Sequence, residues 1–375
     1  MISQSSNISI RRVLIYRIGS LGDTVVALPC FHLIERAFPQ AQRHLLTNFP
    51  VHAKAPASAA VLGESGLVHG YLRYTAGTRN LLQLAAVAMA VRRFRPDVLI
   101  YLMPVRSLQT VRRDQLFFRL AGVRRIIGLP LEGGLKHPFD TSTGRFESEA
   151  HRLANCLREL GDAQPDSLPN WDLRLTAAEH EQARSAMAPL LLGGSSGDGP
   201  LIVCGPGTKM QAKDWGKENW RALLARINAL YPNARLALVG AREDADTAAF
   251  VAADWRGPQV NLCGQLTPRQ TAAVIATAQV FLGPDSGPMH LAASVGTPSV
   301  IAFSARGLPG VWFPAGGQHQ IVYHQTHCYG CNLETCTAEA RQCLTSISVD
   351  EMQIAVERVL RDSIHRRERT SPLGS

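Results

Sequence analysis

The chain has 375 residues, of which 46% are apolar and 18% are charged. This is an ordinary soluble composition, and the length is sufficient for two domains. There is no uninterrupted apolar stretch of the roughly 18 residues that a membrane-spanning helix needs. The polar start, Met1–Ile10, lacks the apolar core of a signal peptide. We therefore expect a cytoplasmic protein.

The formal net charge of +9 is concentrated in one segment. Between Tyr71 and Lys136 the chain carries twelve basic and three acidic residues, an excess equal to that of the whole chain. The basic residues are Arg73, Arg79, Arg92, Arg93, Arg95, Arg106, Arg112, Arg113, Arg119, Arg124, Arg125 and Lys136, and the acids are Asp97, Asp114 and Glu132. Such a segment suits an anionic glycan, an anionic membrane surface or nucleic acid, although solvated helix faces have the same composition. Nucleic acid is disfavoured because no DNA- or RNA-binding signature accompanies the charge.

The first predicted unit is a strand, a glycine-rich turn and a helix. Arg12–Ile18 reads as a buried strand, Gly19–Thr24 as the turn and Val25–Phe38 as the helix, with Pro29 near its start. The G-x-G-x-x-G spacing of a dinucleotide site is absent, and the acid Asp23 would repel a pyrophosphate. At the carboxyl end of a strand, Asp23 can instead accept a proton from a substrate hydroxyl, or it can cap the helix.

Strand and helix patterns alternate along the rest of the chain. Further predicted strands are 42–47, 97–102, 124–129, 201–204, 234–239, 278–282 and 298–303. Further predicted helices are 81–94, 108–120, 147–160, 177–192, 218–230, 244–255, 268–277 and 350–361. This alternation predicts α/β architecture with parallel sheets. The Pro- and Asp-containing stretch 163–169 marks the boundary, so we expect domains at 1–165 and 166–348, followed by a helix and tail at 349–375.

Three loops of the second half follow predicted strands and should converge on one ligand. They are Gly205–Trp215, Gly240–Glu243 and Gly283–His290. They supply backbone N–H groups, the cations Lys209 and Lys213, and the acid Glu243. Cations and amides suit a diphosphate, and an acid suits a ribose diol. The alternative for these residues is a surface lysine and an acid that stabilises a helix dipole.

The third of these loops has the pattern of an anion-binding helix start. Asp285 and Ser286 stand where an N-cap belongs, and Pro288 stands in the first turn. His290 falls in that turn, next to the position of a bound anion. Exposed N–H groups at such a terminus bind phosphate or carboxylate, although an ordinary capped turn has the same sequence pattern.

Four stretches resemble glycosyltransferase family 9, the ADP-heptose:lipopolysaccharide heptosyltransferases and their relatives. They are Arg17–Asp23 with Pro29 and Phe38-Pro39, Gly205–Trp220 with Lys213-x-Trp215, Asp285–Ala292, and the cysteine-bearing tail from Cys328 to Val359. The resemblance implies a GT-B fold, in which two Rossmann-like domains face a central cleft. It also implies transfer with inversion, without a required metal, from a nucleotide-sugar to a lipopolysaccharide-core or related glycan acceptor. The donor expected from it is ADP-heptose.

The resemblance also implies roles for particular residues. Asp23 matches the general base. Asp285 is expected to orient the turn, leaving proton transfer to Asp23. With Lys209 and Pro288 added from the loops themselves, the expected donor-binding set is Thr208, Lys209, Lys213, Glu243, Asp285, Ser286, Gly287, Pro288 and His290. We assign Ser20, Gly22 and Arg106 to the acceptor side. Anionic glycan or glycolipid would be the acceptor, with peripheral contact at the anionic inner face of the inner membrane.

A cysteine-rich segment, 328–343, follows the second domain's strands. Cys328, Cys331, Cys336 and Cys343 could form a structural zinc site or hold an iron–sulfur cluster, because thiolates ligate both. The first pair has CxxC spacing and the second pair does not repeat it. Free or partly disulfide-linked thiols in a structural lid are the favoured interpretation.

Two other functions remain open from the sequence. One is a different nucleotide-sugar enzyme, an epimerase or hydrolase, which would need a second group opposite Asp23. His32, His290 and Glu243 are the candidates for that group. The other is a non-catalytic protein that binds a nucleotide-sugar.

Overall fold

The computed structural model describes residues 10–48, 58–74, 78, 80–131, 134–191 and 199–370. Arg79 and Glu132 of the basic segment therefore lie outside the described residues, as do the last five residues of the expected tail. The chain divides into two compact units. Unit one runs to Phe139 and resumes at Glu147–Asn170, and unit two comprises Asp140–Phe146 and the chain from Trp171 onward.

Unit one is built on a five-stranded parallel sheet. Its strands are β1 (Arg12–Tyr16), β2 (Gln42–Asn48), β3 (Gly70–Tyr74), β4 (Val98–Tyr101) and β5 (Ile126–Ile127), in the order β3-β2-β1-β4-β5. Its helices are α1 (Leu21–Val26), α2 (Leu28–Ala37), α3 (Ser58–Leu62), α4 (Leu81–Phe94), α5 (Leu108–Leu120) and α6 (Glu149–Cys156). Every pairing in this sheet is parallel. A short hairpin, β6 (Phe139–Asp140) with β7 (Arg145–Phe146), lies where the chain leaves unit one and returns to it.

The single helix predicted at Val25–Phe38 is instead two helices that meet at Ala27. α1 ends at Val26, and α2 starts at Leu28 with Pro29 in its first turn. Proline has no N–H to donate, and its ring clashes with the carbonyl four residues earlier, so an unbroken helix is disfavoured here. The proline therefore starts a helix rather than sitting inside one.

Unit two is built on a six-stranded parallel sheet. Its strands are β8 (Leu201–Cys204), β9 (Arg235–Leu238), β10 (Gln259–Asn261), β11 (Val280–Pro284), β12 (Ser299–Phe303) and β13 (Gln320–Tyr323), in the order β10-β9-β8-β11-β12-β13. Its helices are α7 (Ala177–Met187), α8 (Lys217–Leu230), α9 (Ala245–Val251), α10 (Pro268–Ile275), α11 (Gly287–Ser294), α12 (Gln342–Thr345) and α13 (Val349–Thr370). All its strand pairs are parallel.

The two sheets confirm the α/β architecture with two parallel-sheet domains. In each sheet the carboxyl ends of the strands lie at one edge, so the loops that follow β1, β8 and β11 occupy the edge where α/β proteins bind ligands. The C-terminal helix α13 packs within unit two, where Met352, Val356 and Leu360 join the core of β11, β12 and α8. Within the described ranges, no helix is both long and apolar enough to cross a membrane.

Candidate functional site

The centre of the unit-two site is a buried ion pair at the carboxyl edge of the sheet. Asp285 directly follows β11, and its side chain is 7% exposed. Its Oδ2 lies 3.1 Å from Nζ of Lys213, whose side chain is 19% exposed. Lys213 ends a short 3₁₀ turn in the loop that follows β8. The structure thus brings together Asp285 and Lys213, two residues of the expected donor-binding set.

The helix start beside this pair has groups suited to an anion. Ser286 is the N-cap of α11 and Pro288 lies in its first turn, but the Ser286 side chain makes no capping hydrogen bond. In the described part of the chain its buried Oγ finds no hydrogen-bond partner. The amide of Gly287, the first residue of α11, has no acceptor within the helix. A buried hydroxyl and a helix N-terminus at one place form a ready site for phosphate or carboxylate.

His290 lies in the first turn of α11, as expected, but its side chain is 5% exposed. Its ring lies edge-on to Trp312, with centroids 6.5 Å apart. The imidazole is therefore buried in unit two beside the indole of Trp312.

The loop that carries Lys213 is fixed at both sides of the lysine. The carbonyl of Ala212 accepts a hydrogen bond of 2.8 Å from Oγ of Ser304. The indole Nε1 of Trp215 donates to the carbonyl of Ile347 at 2.9 Å, and this indole is 2% exposed. Trp215 is thus a core anchor that limits where Lys213 can reach.

The earlier part of the same loop is more open. Oγ1 of Thr208 accepts a hydrogen bond of 3.4 Å from the amide of Met210. The side chain of Lys209 is exposed. Both residues follow β8 at the same sheet edge as Lys213, whose Nζ pairs with Asp285.

The loop after β9 carries two neighbouring acids, Glu243 and Asp244. Glu243 lies in the 3₁₀ turn after β9, and its side chain is exposed. The carboxylate of Asp244 accepts a hydrogen bond of 2.8 Å from the amide of Ala241. A Cβ built on Gly207 would lie 2.3 Å from Cγ of Asp244, and one on Gly240 2.8 Å from its Oδ2. Asp244 is therefore held between the β8 and β9 loops. Gly207 and Gly240 leave the space that its side chain occupies, and they are the sequence signal that could have indicated this contact.

The unit-one site is the first turn of α1. Ser20 is its N-cap, Gly22 is buried within it, and Asp23 is its third residue. Oδ2 of Asp23 accepts hydrogen bonds of 2.7 Å from both the amide and the hydroxyl of Ser20. The Asp23 side chain is 24% exposed, and its Oδ1 lies 4.0 Å from Nη2 of Arg17. The carboxylate thus completes a capping box with one oxygen while the side chain stays partly open to solvent.

Beneath this turn lies a buried charge network. The guanidinium of Arg17, which is fully buried, donates to the carbonyl of Asp23 at 2.6 Å and lies 3.7 Å from Oε1 of Glu149. Glu149, 1% exposed, accepts two hydrogen bonds of 2.7 Å from Arg152. Nε2 of His137 lies 3.5 Å from its Oε2. Burial lowers the pKa of Arg152, but the hydrogen bonds and charge of Glu149 outweigh it and leave this pKa raised. One carboxylate therefore holds two buried guanidinium groups.

Arg106 lies just before α5, and its side chain is 21% exposed. Its Nη1 lies 3.0 Å from Oδ2 of Asp114, which also accepts from the hydroxyl of Tyr101 at 3.0 Å. Arg113 binds the other oxygen of Asp114 at 2.9 Å. Burial and the nearby Asp114 carboxylate raise the pKa of Tyr101 well above its usual range. Two arginines thus share one buried acid, which leaves net positive charge at this loop.

The comparisons with known proteins identify the family of this chain. The sequence profile described as glycosyltransferase family 9 (heptosyltransferase) matches residues 149–341, just over half of the 375-residue chain. The chain belongs to glycosyltransferase family 9. A curated relative, lipopolysaccharide heptosyltransferase 3 of Escherichia coli, is 32% identical to this chain over 108 residues. That alignment covers 28% of this chain and 31% of the relative's length.

Two solved structures of family 9 proteins share the fold over nearly the whole chain. A glycosyltransferase family 9 protein from Veillonella parvula DSM 2008 superposes with a TM-score of 0.72 at 16% identity, covering 96% of this chain and 100% of that one. The E. coli ADP-heptose lps heptosyltransferase II superposes with a TM-score of 0.65 at 16% identity, covering 94% of this chain and 99% of that one. At these identities the likeness concerns the fold.

In the described part of this family 9 chain, the side chains of the cysteine-rich segment are not grouped as metal ligands. All eight cysteines lie in the described part of the chain, and all are free thiols. Over the same ranges, no three His, Cys, Asp or Glu side chains are grouped so as to hold a metal ion. The zinc or iron–sulfur alternative therefore finds no support in these residues, and the free thiols fit the favoured interpretation. Burial raises the pKa of Cys343, whereas backbone N–H groups, first that of Arg341, lower the pKa of Cys336.

The cysteine-rich segment instead makes hydrogen bonds to the loop that carries Lys213. The carbonyl of Glu334 accepts a hydrogen bond of 3.0 Å from the amide of Ala212. The amide of Cys336 donates to Oε1 of Gln211 at 2.9 Å. Nη1 of Arg341 donates to the carbonyl of Asp214 at 2.7 Å. The residues held by these contacts lie immediately before and after Lys213. In this family 9 chain the segment therefore helps to fix the position of Lys213.

Proposed function

We propose that this chain is an inverting, metal-independent glycosyltransferase that moves heptose from ADP-heptose to a lipopolysaccharide-core or related glycan acceptor. Family 9 membership supports a sugar-transfer activity. The donor and acceptor are proposed by analogy with the two E. coli relatives, whose names specify ADP-heptose and lipopolysaccharide. We also propose that the enzyme acts at the inner face of the inner membrane, where such an acceptor would be held.

The observation that carries the donor proposal is the buried Lys213–Asp285 pair beside the Ser286 hydroxyl and the start of α11. A nucleoside diphosphate brings negative charge that Lys213 and the first amides of α11 can stabilise. Asp285 would hold the ammonium in place before the donor arrives. These groups are already in position before the reaction. They would therefore stabilise the negative charge that develops on the leaving diphosphate in the transition state.

In the proposed reaction, Asp23 acts as the general base. The acceptor hydroxyl loses its proton to the Asp23 carboxylate as its oxygen forms a bond to C1 of the sugar. The bond between C1 and the phosphate oxygen breaks, and its electron pair leaves with ADP. Ser20 fixes one carboxylate oxygen, which leaves Oδ1 as the proton acceptor. Direct displacement inverts the anomeric centre, and one carboxylate suffices for it.

The proposal is tested by incubating the purified full-length protein with ADP-heptose, GDP-sugars or UDP-sugars, with and without delipidated lipopolysaccharide. We expect release of ADP only when ADP-heptose and acceptor are both present, and unchanged turnover with EDTA. Nucleotide release without acceptor would indicate a hydrolase, and a changed sugar on an intact donor would indicate an epimerase. Lys213→Ala should reduce transfer by roughly 10²–10³-fold, the range seen when one fixed charge-stabilising group is removed.

A further inference from the structure

Two neighbouring helices of unit one expose long apolar side chains. At the start of α4, Leu81 and Leu82 are 78% and 81% exposed, and Met89 is 68% exposed. In α5, Leu116 is 60% and Leu120 is 66% exposed. These are the five most exposed large apolar side chains among the described residues. Single exposed leucines are common, but such a concentration on one surface indicates an interaction site.

The two helices present a single continuous surface. Both pack on the same core, through Val87 and Val91 of α4 and Val111 and Phe118 of α5. Nη2 of Arg92 in α4 donates a hydrogen bond of 2.6 Å to the last carbonyl of α5. Their outward sides therefore lie next to each other, and we call this surface the outer helix face.

The outer helix face is also strongly basic. Its exposed arginines are Arg92, Arg93, Arg112, Arg113 and Arg119, and Arg124 follows four residues after the end of α5. The only acid within the two helices is Asp114, and it is buried. A second copy of the chain would place arginines against arginines across a symmetric contact, which disfavours self-association through this face. Nucleic acid would match the charge but not the exposed leucines.

We propose that the outer helix face docks unit one on a lipid bilayer that carries anionic headgroups. Arginines at a surface are attracted to anionic lipid, while adjacent leucine and methionine side chains enter the boundary between headgroups and acyl chains. α4 follows β3 and α5 follows β4, so both helices begin at the carboxyl edge of the parallel sheet, the edge at which Asp23 follows β1. Docking would hold that edge near the membrane. The docking does not depend on the proposed transferase activity.

The test is co-sedimentation of the full-length protein with vesicles of phosphatidylcholine alone, or of phosphatidylcholine and phosphatidylglycerol in equal parts. We expect binding to the anionic vesicles that weakens with added salt. Arg93→Glu with Arg112→Glu should weaken it by at least ~25-fold, since one arginine near an anionic surface contributes about fivefold. Leu81→Ser with Leu82→Ser should also weaken it.

The matched control reverses two exposed arginines of unit two, Arg256→Glu with Arg358→Glu, and should leave vesicle binding within about twofold of wild type. Equal losses in the control and the Arg93/Arg112 pair would overturn the proposal, because binding would then follow total charge. Unchanged binding of the leucine pair would also overturn it. The proposal would also be overturned if the protein bound no vesicles and instead self-associated through these leucines. Binding of nucleic acid without binding of vesicles would overturn it as well. Transfer to a soluble acceptor separates this result from the proposed activity, because the docking variants should retain it.

Discussion

Replacing Glu149 by glutamine should strongly destabilise unit one. Glu149 is 1% exposed and accepts two hydrogen bonds of 2.7 Å from Arg152, which is equally buried, while Arg17 lies 3.7 Å away. Glutamine has nearly the same shape but no charge, and its amide NH₂ would face guanidinium donors. The buried Arg152 would lose its counter-charge, and Arg17 would keep only the Asp23 carboxylate 4.0 Å away. Breaking a buried pair in this way costs about 3–5 kcal/mol.

Scanning calorimetry of the full-length protein measures this effect. A loss of about 3–5 kcal/mol corresponds to a fall of roughly 6–20 °C in the midpoint of the unit-one transition, at about 2–4 °C per kcal/mol for a unit of this size. Glu159→Gln is a matched control, because Glu159 is exposed and lies 3.5 Å from an exposed arginine. We expect it to shift the midpoint by less than about 2 °C. Equal shifts for the two variants would refute the reasoning that the buried network carries the stability.

Three further outcomes follow from individual residues. Gly19→Ala should lower transfer by roughly 10²-fold, because its Cβ would lie 2.3 Å from Cβ of Asp23 and displace the base; normal transfer would contradict this. Burial lowers the pKa of His319 from 6.5 to about 4, so the unfolded chain protonates first as pH falls. About 3 kcal/mol of stability should therefore be lost between pH 6.5 and 4, and urea titrations of His319→Asn should show a smaller loss than wild type. At neutral pH, iodoacetamide should label Cys336, whose pKa is lowered chiefly by a backbone N–H, before Cys30, whose pKa burial raises to about 12; mass spectrometry showing the reverse order would contradict this.

The sequence predicted the central strands and the helices that pack on them. β8 at Leu201–Cys204, α4 and α5 have the bounds that their apolar periodicity indicated. These elements bury a continuous run or one regular face, and such patterns are local in sequence. The turn from β11 into α11 was predicted for the same reason, because its capping and proline signals lie within a few residues of each other.

Three of the four edge strands of the two parallel sheets were not predicted, whereas β5 lies within the predicted strand 124–129. β3, β10 and β13 lie at sheet edges, and their residues are largely exposed or only partly buried. A strand buried on neither face lacks the apolar run or strict alternation that marks a strand in sequence. Their positions are fixed by pairing with β2, β9 and β12, which the sequence of the strand itself does not encode.

Contacts between distant parts of the chain account for most of what the sequence did not show in the sites. Arg17 and Glu149 are far apart along the chain of unit one, yet their side chains lie 3.7 Å apart. The position of Asp244 depends on the close approach of Gly207 from another loop. Likewise, the spacing of the cysteines allowed a metal site as one alternative. In the structure the cysteine-rich segment instead makes hydrogen bonds to Gln211 and Ala212, next to Lys213, and these contacts join parts of the chain that are far apart in sequence.

The most direct measurement is acceptor-dependent release of ADP from ADP-heptose by the wild-type protein and by Asp23→Asn. We expect that the variant still binds ADP, because the Lys213–Asp285 pair is intact, while kcat/KM for transfer falls by roughly 10²–10⁴-fold, the contribution of a general base. Near-normal transfer by Asp23→Asn would contradict the assignment of the base. Absence of ADP release by the wild-type protein with every donor and acceptor pair would contradict the proposed activity itself.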